Sequence, residues 1–378
     1  MSPRCIGMPL LLVCLFLFLF LDHKVYSAKG NMKNQLRLDD HKGGSQPNAV
    51  SPLKSPLIKV AELFGFSKWY TKVLIIIFCL LIPFIVHSNY AMRVIIYIGL
   101  YIVLALGLNV VMGFTGLLNI GHAAFYAIGA YTTAILMVNH GVSFWLTIPI
   151  GMVLGILFGI VLGFPTLRVR DDYLAMVTLG FGQIVYIVAN NWMGLTKGPR
   201  GIPGIPAPTI GFWDWKIVID SYPTYYYLIL FFVFLTIYAC VRVRNSRVGL
   251  AWMAIREDED VAAVMGINLV YYKTLAFGFS AALGALAGSF FAVFQTFVSP
   301  NSFTILESVI IITIPILGGL GSIPGTIIGA IIMIAAPEIF RAASEYRMVA
   351  LGAFMVLMMI FKPEGLLGKK LYEQTYKA

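Results

Sequence analysis

The 378-residue chain is 59% hydrophobic and only 12% charged, with a formal net charge of +10. Soluble domains carry about 25% charged residues, and no core hides this apolar surplus, so the composition excludes an ordinary water-soluble protein and predicts a polytopic membrane protein. The apolar runs are long and lack strand-type alternation, and the 36 glycines are spread through them as in packed membrane helices, which argues against a β-barrel.

Taken in order, residues 1–30 hold an apolar run, Leu10 to Leu21, behind Arg4 and ahead of Asp22, His23 and Lys24. A dozen residues fall short of the about 20 that cross a bilayer, so this is a signal-like or extra anchor segment, or a dispensable extension. Residues 31–70 are polar and basic, with Gly43, Gly44, Pro47, Pro52 and Pro56, and read as a linker. The predicted transmembrane domain covers 71–368, and 369–378 form a tail.

The expected fold is all-α, with about ten transmembrane helices interrupted by Gly-rich segments. The spans run roughly Val73–Ser88, Met92–Met112, Gly121–Val138, Phe144–Phe164, Tyr173–Trp192, Tyr225–Val241, Lys273–Val298, Phe303–Leu317, Thr326–Arg341 and Met348–Phe361. With that count four basic regions share one side: the linker, the Arg168/Arg170 turn, a central stretch with Arg242, Arg244, Arg247 and Arg256, and the Lys369/Lys370 tail. Lys and Arg are held on the cytoplasmic side, so the C-terminus is expected there, and the basic excess is no nucleic-acid footprint. Arg93, Lys197, Arg200 and Arg347 are exceptions near the opposite face.

MGFTGLLNIGHAAFYAIGAY (112–131) and LGGLGSIPGTIIGA (317–330) both read as interrupted helices. Unwound backbone at membrane depth survives where protein buries it or where it lines a watery cavity, so these breaks serve either close packing or a transport pathway. Asn119, His122 and Gln183 are the candidate pathway residues; Asn109 is a further polar candidate, and Glu307 and Glu338 lie near span ends as interfacial groups. The Arg242–Lys273 stretch is the longest charged interval downstream. Its Trp252–Val264 segment is predicted as one exposed helix closed by Gly266 with Asn268, a shape suited to docking on another protein.

No His-Glu-x-x-His, Gly-x-Gly-Asp or Gly-x-Ser-x-Gly pattern is present, and the four cysteines, Cys5, Cys14, Cys79 and Cys240, lack metal-ligand spacing. A transporter without catalytic or metal site is expected. The chain lacks a Walker A sequence, so any ATP driving it binds to another subunit.

GHAAFYAIGAY (121–131), FPTLRVRDDYLAMVTLGFGQIV (164–185), LTKGPRGIPGIPAP (195–208), SRVGLAWMAIREDEDVAAVMGIN (246–268), VSPNSFTILESV (298–309), LGGLGSIPGTIIGA (317–330) and FKPEGLLG (361–368) together resemble the M-type permease of bacterial branched-chain amino-acid ABC importers, over about residues 90–368. The resemblance implies an inner-membrane subunit paired with a second, homologous permease, two cytoplasmic ATPases that bind the ATP, and an extracytoplasmic binding protein. It also implies that 246–268 is the ATPase-docking segment, with Arg256, Glu257, Asp258, Asp260, Ala262 and Gly266 as docking residues. The family's Glu-Ala-Ala-x-x-x-Gly pattern is altered here: Asp260 replaces Glu, Val261 replaces the first Ala, and Ala262 and Gly266 are kept. Leu, Ile and Val are the implied substrates; urea and short-chain amide importers have similar permeases. An ion-coupled secondary transporter is the alternative from another class, disfavoured by the scarcity of intramembrane acids.

Overall fold

The computed structural model describes residues 88–166, 171–212 and 215–339, together with positions 77, 79–84, 86, 352 and 365–367. The signal-like segment, the linker, the Arg168/Arg170 turn and the tail lie outside the described residues, and so, almost wholly, do the spans expected at Val73–Ser88 and Met348–Phe361. Met1–Ser88 and Asn89–Ala378 are separate compact units. All that follows concerns the second.

Helix α1 (Asn89–Asn109) passes into a π-helical turn (Val110–Phe114), and α2 (His122–His140), α3 (Phe144–Thr166) and α4 (Asp171–Asn191) follow. After the loop come α5 (Tyr222–Arg244), two short helices, α6 (Arg247–Glu257) and α7 (Glu259–Val264), and the long α8 (Leu269–Gln295). Helices α9 (Ile305–Gly318) and α10 (Ile323–Ile339) complete the described order. Six helical stretches among the described residues are long and apolar enough to cross a membrane: 89–114, 144–164, 173–191, 222–244, 269–295 and 300–318. Helix α2 is more mixed, with His122, Tyr126, Thr132, Thr133 and Asn139 along it, and its first half is buried inside the bundle.

Helix α8 is the core of the unit, packing most extensively on α3, α2 and α1. Asn268 caps its start, Oδ1 accepting the Tyr271 N–H at 3.1 Å. Its length is apolar, but its contact faces are Gly, Ala and Ser, because the backbones come too close for more. A methyl on Gly129 would sit 2.1 Å from the Ala285 carbonyl oxygen, one on Gly288 2.1 Å from the Tyr126 carbonyl oxygen, and one on Gly155 2.8 Å from that of Ala281. Lipid offers no hydrophobic reason for helices to associate, so close van der Waals contact between small residues takes that part.

The expected all-α fold needs one correction. The Gly194–Thr224 loop contains short strands: β1 (Ile202–Pro203) pairs antiparallel with β4 (Phe297–Val298), and β2 (Thr209–Phe212) pairs with β3 (Trp215–Val218) as a hairpin. The loop backbone must find hydrogen-bond partners, and β4, just past the end of α8, supplies them. Glycines and prolines in this stretch masked the short extended runs.

Candidate functional site

The hydrophilic stretch between α5 and α8 is two helices and not one, which corrects the expected Trp252–Val264 helix. Ser246 starts α6, its Oγ accepting the Gly249 N–H at 3.3 Å. Asp258 then leaves the helix (φ −159°, ψ 117°) and starts α7, its Oδ1 accepting the Val261 N–H at 3.0 Å. Asp258 therefore shares no helical face with Ala262 and Met265. Gly266 ends α7 at φ +86°, while Asn268 belongs to the next helix. The pair is fixed to α8 at two points: Trp252 Nε1–H donates to the Tyr272 carbonyl at 2.8 Å, and the buried Lys273 ammonium pairs with Glu259.

The six residues expected to dock do not share one surface. Glu257, Asp258, Asp260 and Gly266 are exposed. Ala262 is buried within this chain, 3% exposed. Arg256 turns inward as well. Sequence reasoning missed the apolar outer face of α7, where Val261, Val264 and Met265 are 57%, 86% and 77% exposed. The signal was present as three large apolar residues in a hydrophilic interval.

Arg256 meets both Gly-rich stretches. Its Nη1 donates to the Gly113 carbonyl, and a methyl on Gly321 would lie 2.9 Å from the same nitrogen. Gly116, at φ +76°, lies against the aliphatic stem, where a methyl would sit 3.2 Å from Cγ. Partial burial pushes the guanidinium down from its ordinary pKa, opposed by the Glu257 carboxylate. The two stretches also bind each other directly: Asn109 Oδ1 accepts the Gly321 N–H at 2.9 Å. The FKPEGLLG block joins them, Leu366 and Leu367 N–H donating to the carbonyls of Leu317 and Gly318 at 2.9 and 3.0 Å. Two segments far apart in sequence thus cross beside one arginine, and a third is bonded to one of them.

The three candidate pathway residues lie near the packing of Gly121 against Thr178 and Gly182 of α4, each in different surroundings. Thr115–Gly121 runs between α1 and α2 without helix, and Asn119 is fully buried there, Oδ1 accepting the Gly121 N–H at 3.0 Å while Nδ2 has no partner. His122 is sealed in the core, Nδ1 3.5 Å from Ser280 Oγ and the ring against Phe125, with Nε2 unpartnered. Gln183 on α4 is half-buried and lines a small cavity with Ile120, Ala123, Phe303 and Ser308. Glu307, expected as a merely interfacial group, instead accepts a 2.5 Å hydrogen bond from Tyr101 that ties α9 to α1. Among the described residues, no group of three or more His, Cys, Asp and Glu side chains is placed to hold a metal ion.

Residues 90–361 match the family described as branched-chain amino acid transport system, permease component. The chain is 44% identical over 287 residues to the high-affinity branched-chain amino acid transport system permease protein LivM of Escherichia coli strain K12, covering 71% of this chain and 68% of that protein. It is also 28% identical over 293 residues to LivH of the same organism, covering 73% of this chain and 93% of LivH. A probable LivM of Methanocaldococcus jannaschii is 22% identical over 328 residues, 73% of this chain and 93% of that protein. No solved structure matches.

Proposed function

The chain belongs to the branched-chain amino acid transport system permease component family, and from that premise we propose that it is the M-type membrane subunit of an ATP-driven importer of leucine, isoleucine and valine. Its similarity to both LivM and LivH supports pairing with a second, homologous permease. The chain lacks a Walker A sequence, so ATP binds to two partner ATPases on the cytoplasmic side of the inner membrane. An extracytoplasmic binding protein delivers the amino acid at the opposite face, and Gln183 borders the path between the permeases.

One observation carries this reading: α6–α7, capped at both starts and pinned to α8, presents three exposed apolar residues at a membrane protein's basic end. Exposed apolar side chains on a rigid platform fit a protein partner, and the surrounding Glu257, Asp258 and Asp260 form its polar rim. ATP binding closes the ATPases and moves the platform. Such a shift requires the platform to be held more tightly in one state than in the other.

Reconstitution of the chain with a second permease, both ATPases and the binding protein in proteoliposomes tests it. Leucine uptake should require both ATP and the binding protein, with isoleucine and valine competing. Uptake of urea or acetamide in their place overturns the substrate assignment. Uptake driven by an ion gradient without ATP overturns the class.

A further inference from the structure

The exposed part of α6–α7 explains how a partner is held, but not how its movement reaches the membrane. One side chain of α6 contacts both Gly-rich stretches. Arg256 bonds the Gly113 carbonyl at the end of the π-helical turn and lies against Gly116, while Gly321, between α9 and α10, packs on its guanidinium. The two stretches pack backbone to backbone there, since a methyl on Gly113 would lie 2.4 Å from Gly321 N. The carbonyl that Arg256 holds ends a helix with no continuing partner, and backbone at such a point is satisfied either by a side chain or by water.

We propose that Arg256 is a positioning residue that transmits displacement of the α6–α7 platform to the crossing of the Thr115–Gly121 and Gly318–Ser322 breaks. The inference rests on the docking reading above and adds the route of coupling. A charged, five-donor fork on a stem packed between glycines follows its helix rigidly, and the glycine backbones it grips lack side chains that would absorb the motion. A lysine keeps the charge but presents a single ammonium without the planar fork, so it restores the contact incompletely.

The test compares Arg256→Lys, Arg256→Ala and a control at the opposite end of the bundle, the exposed Asp220→Asn, in the reconstituted importer. It measures ATPases retained per permease pair, basal hydrolysis, and leucine transported per ATP consumed. Arg256→Ala should retain the ATPases and basal hydrolysis yet lower leucine transported per ATP by about tenfold or more, within the usual range of coupling between sites. Arg256→Lys should fall between, and Asp220→Asn should match the parent. Unchanged leucine per ATP in Arg256→Ala overturns the inference and leaves the docking reading standing. Loss of the ATPases in both arginine variants also overturns it, because Arg256 then belongs to the docking surface. Failure of the parental complex to retain ATPases would instead strike the docking reading itself. A second measurement needs no variant: trapping the ATP-bound state should change amide exchange in α6 and at Gly321 together. A change confined to α6 overturns the proposal.

Discussion

A methyl on Gly113 would lie 2.1 Å from Asn109 Oδ1 and 2.4 Å from Gly321 N, whereas a methyl on Gly266 would meet nothing within 4 Å. The two glycines are therefore required for different reasons. Gly266 is needed for its backbone alone, φ +86°, where a side chain costs about 1–2 kcal/mol. Gly266→Ala should cost about that much, Gly266→Asn less, and Gly113→Ala most, because backbone cannot yield as a flexible side chain can. Thermal unfolding of the purified permease in detergent orders the three. Gly113→Ala unfolding with the parent would show that the crossing is loosely packed. The left-handed turn at Gly266 was legible in the sequence, since a Gly after a helical run is the common stop signal. The crossing was not: nothing in either Gly-rich stretch says that it meets the other, or that Arg256 reaches both. For the same reason Asn119, His122 and Gln183 read alike as polar residues among apolar ones. The fold gives them different surroundings, placing His122 in the core against α8 and Gln183 at a cavity.

Among the described residues the positions of the long apolar helices were legible, because membrane helices are long, apolar runs, while six of them and not ten are long and apolar enough to cross. The expected Tyr173–Trp192 and the observed Asp171–Asn191 differ by only a turn's fraction at each end. The α6–α7 break was not legible: Glu257 to Asp260 are all acidic and compatible with helix, and only the geometry reveals that Asp258 caps the second helix. That break decides which residues face outward. With Ala262 turned in and Val261, Val264 and Met265 turned out, the proposed docking surface is apolar at its centre and acidic at its rim. Burying a large apolar side chain contributes about 1.5–3 kcal/mol, and an exposed ion pair about 0–1 kcal/mol. Val264→Asp and Met265→Asp should each release the ATPases, weakening capture by about tenfold or more, while Glu257→Gln and Asp260→Asn should change it little. Ala262→Trp should instead lower thermal stability, because its bulk enters this chain's own interior. Pull-down of the ATPases on immobilised permease pair reads the first set. If the acidic variants lose capture and the apolar ones keep it, the docking surface is electrostatic and the face is misassigned.

At the scale of the whole molecule, the charge pattern predicts an orientation for the bundle. Helix α5 carries Arg242 and Arg244 in its last turn and leads directly into α6, while its start follows the β2–β3 hairpin. The basic exceptions at the hairpin end are held locally: Arg93 donates to Tyr222 Oη at 2.9 Å and lies over its ring, and Lys197 occupies a left-handed turn at φ +61°. Because α5 and α8 each lead from one end of the bundle to the other, exposed positions around them must alternate in side. Asp220 precedes α5, Glu257 lies between α5 and α8, and Asn301 follows α8, all three exposed. In a background with Cys5, Cys14, Cys79 and Cys240 replaced, Asp220→Cys and Asn301→Cys should react with a membrane-impermeant maleimide on intact spheroplasts. Glu257→Cys should react only after lysis, since Lys and Arg are retained on the cytoplasmic side. The reverse pattern would invert the molecule and place α6–α7 beyond the reach of any ATPase. Labelling of all three from outside would remove α5 and α8 from the membrane.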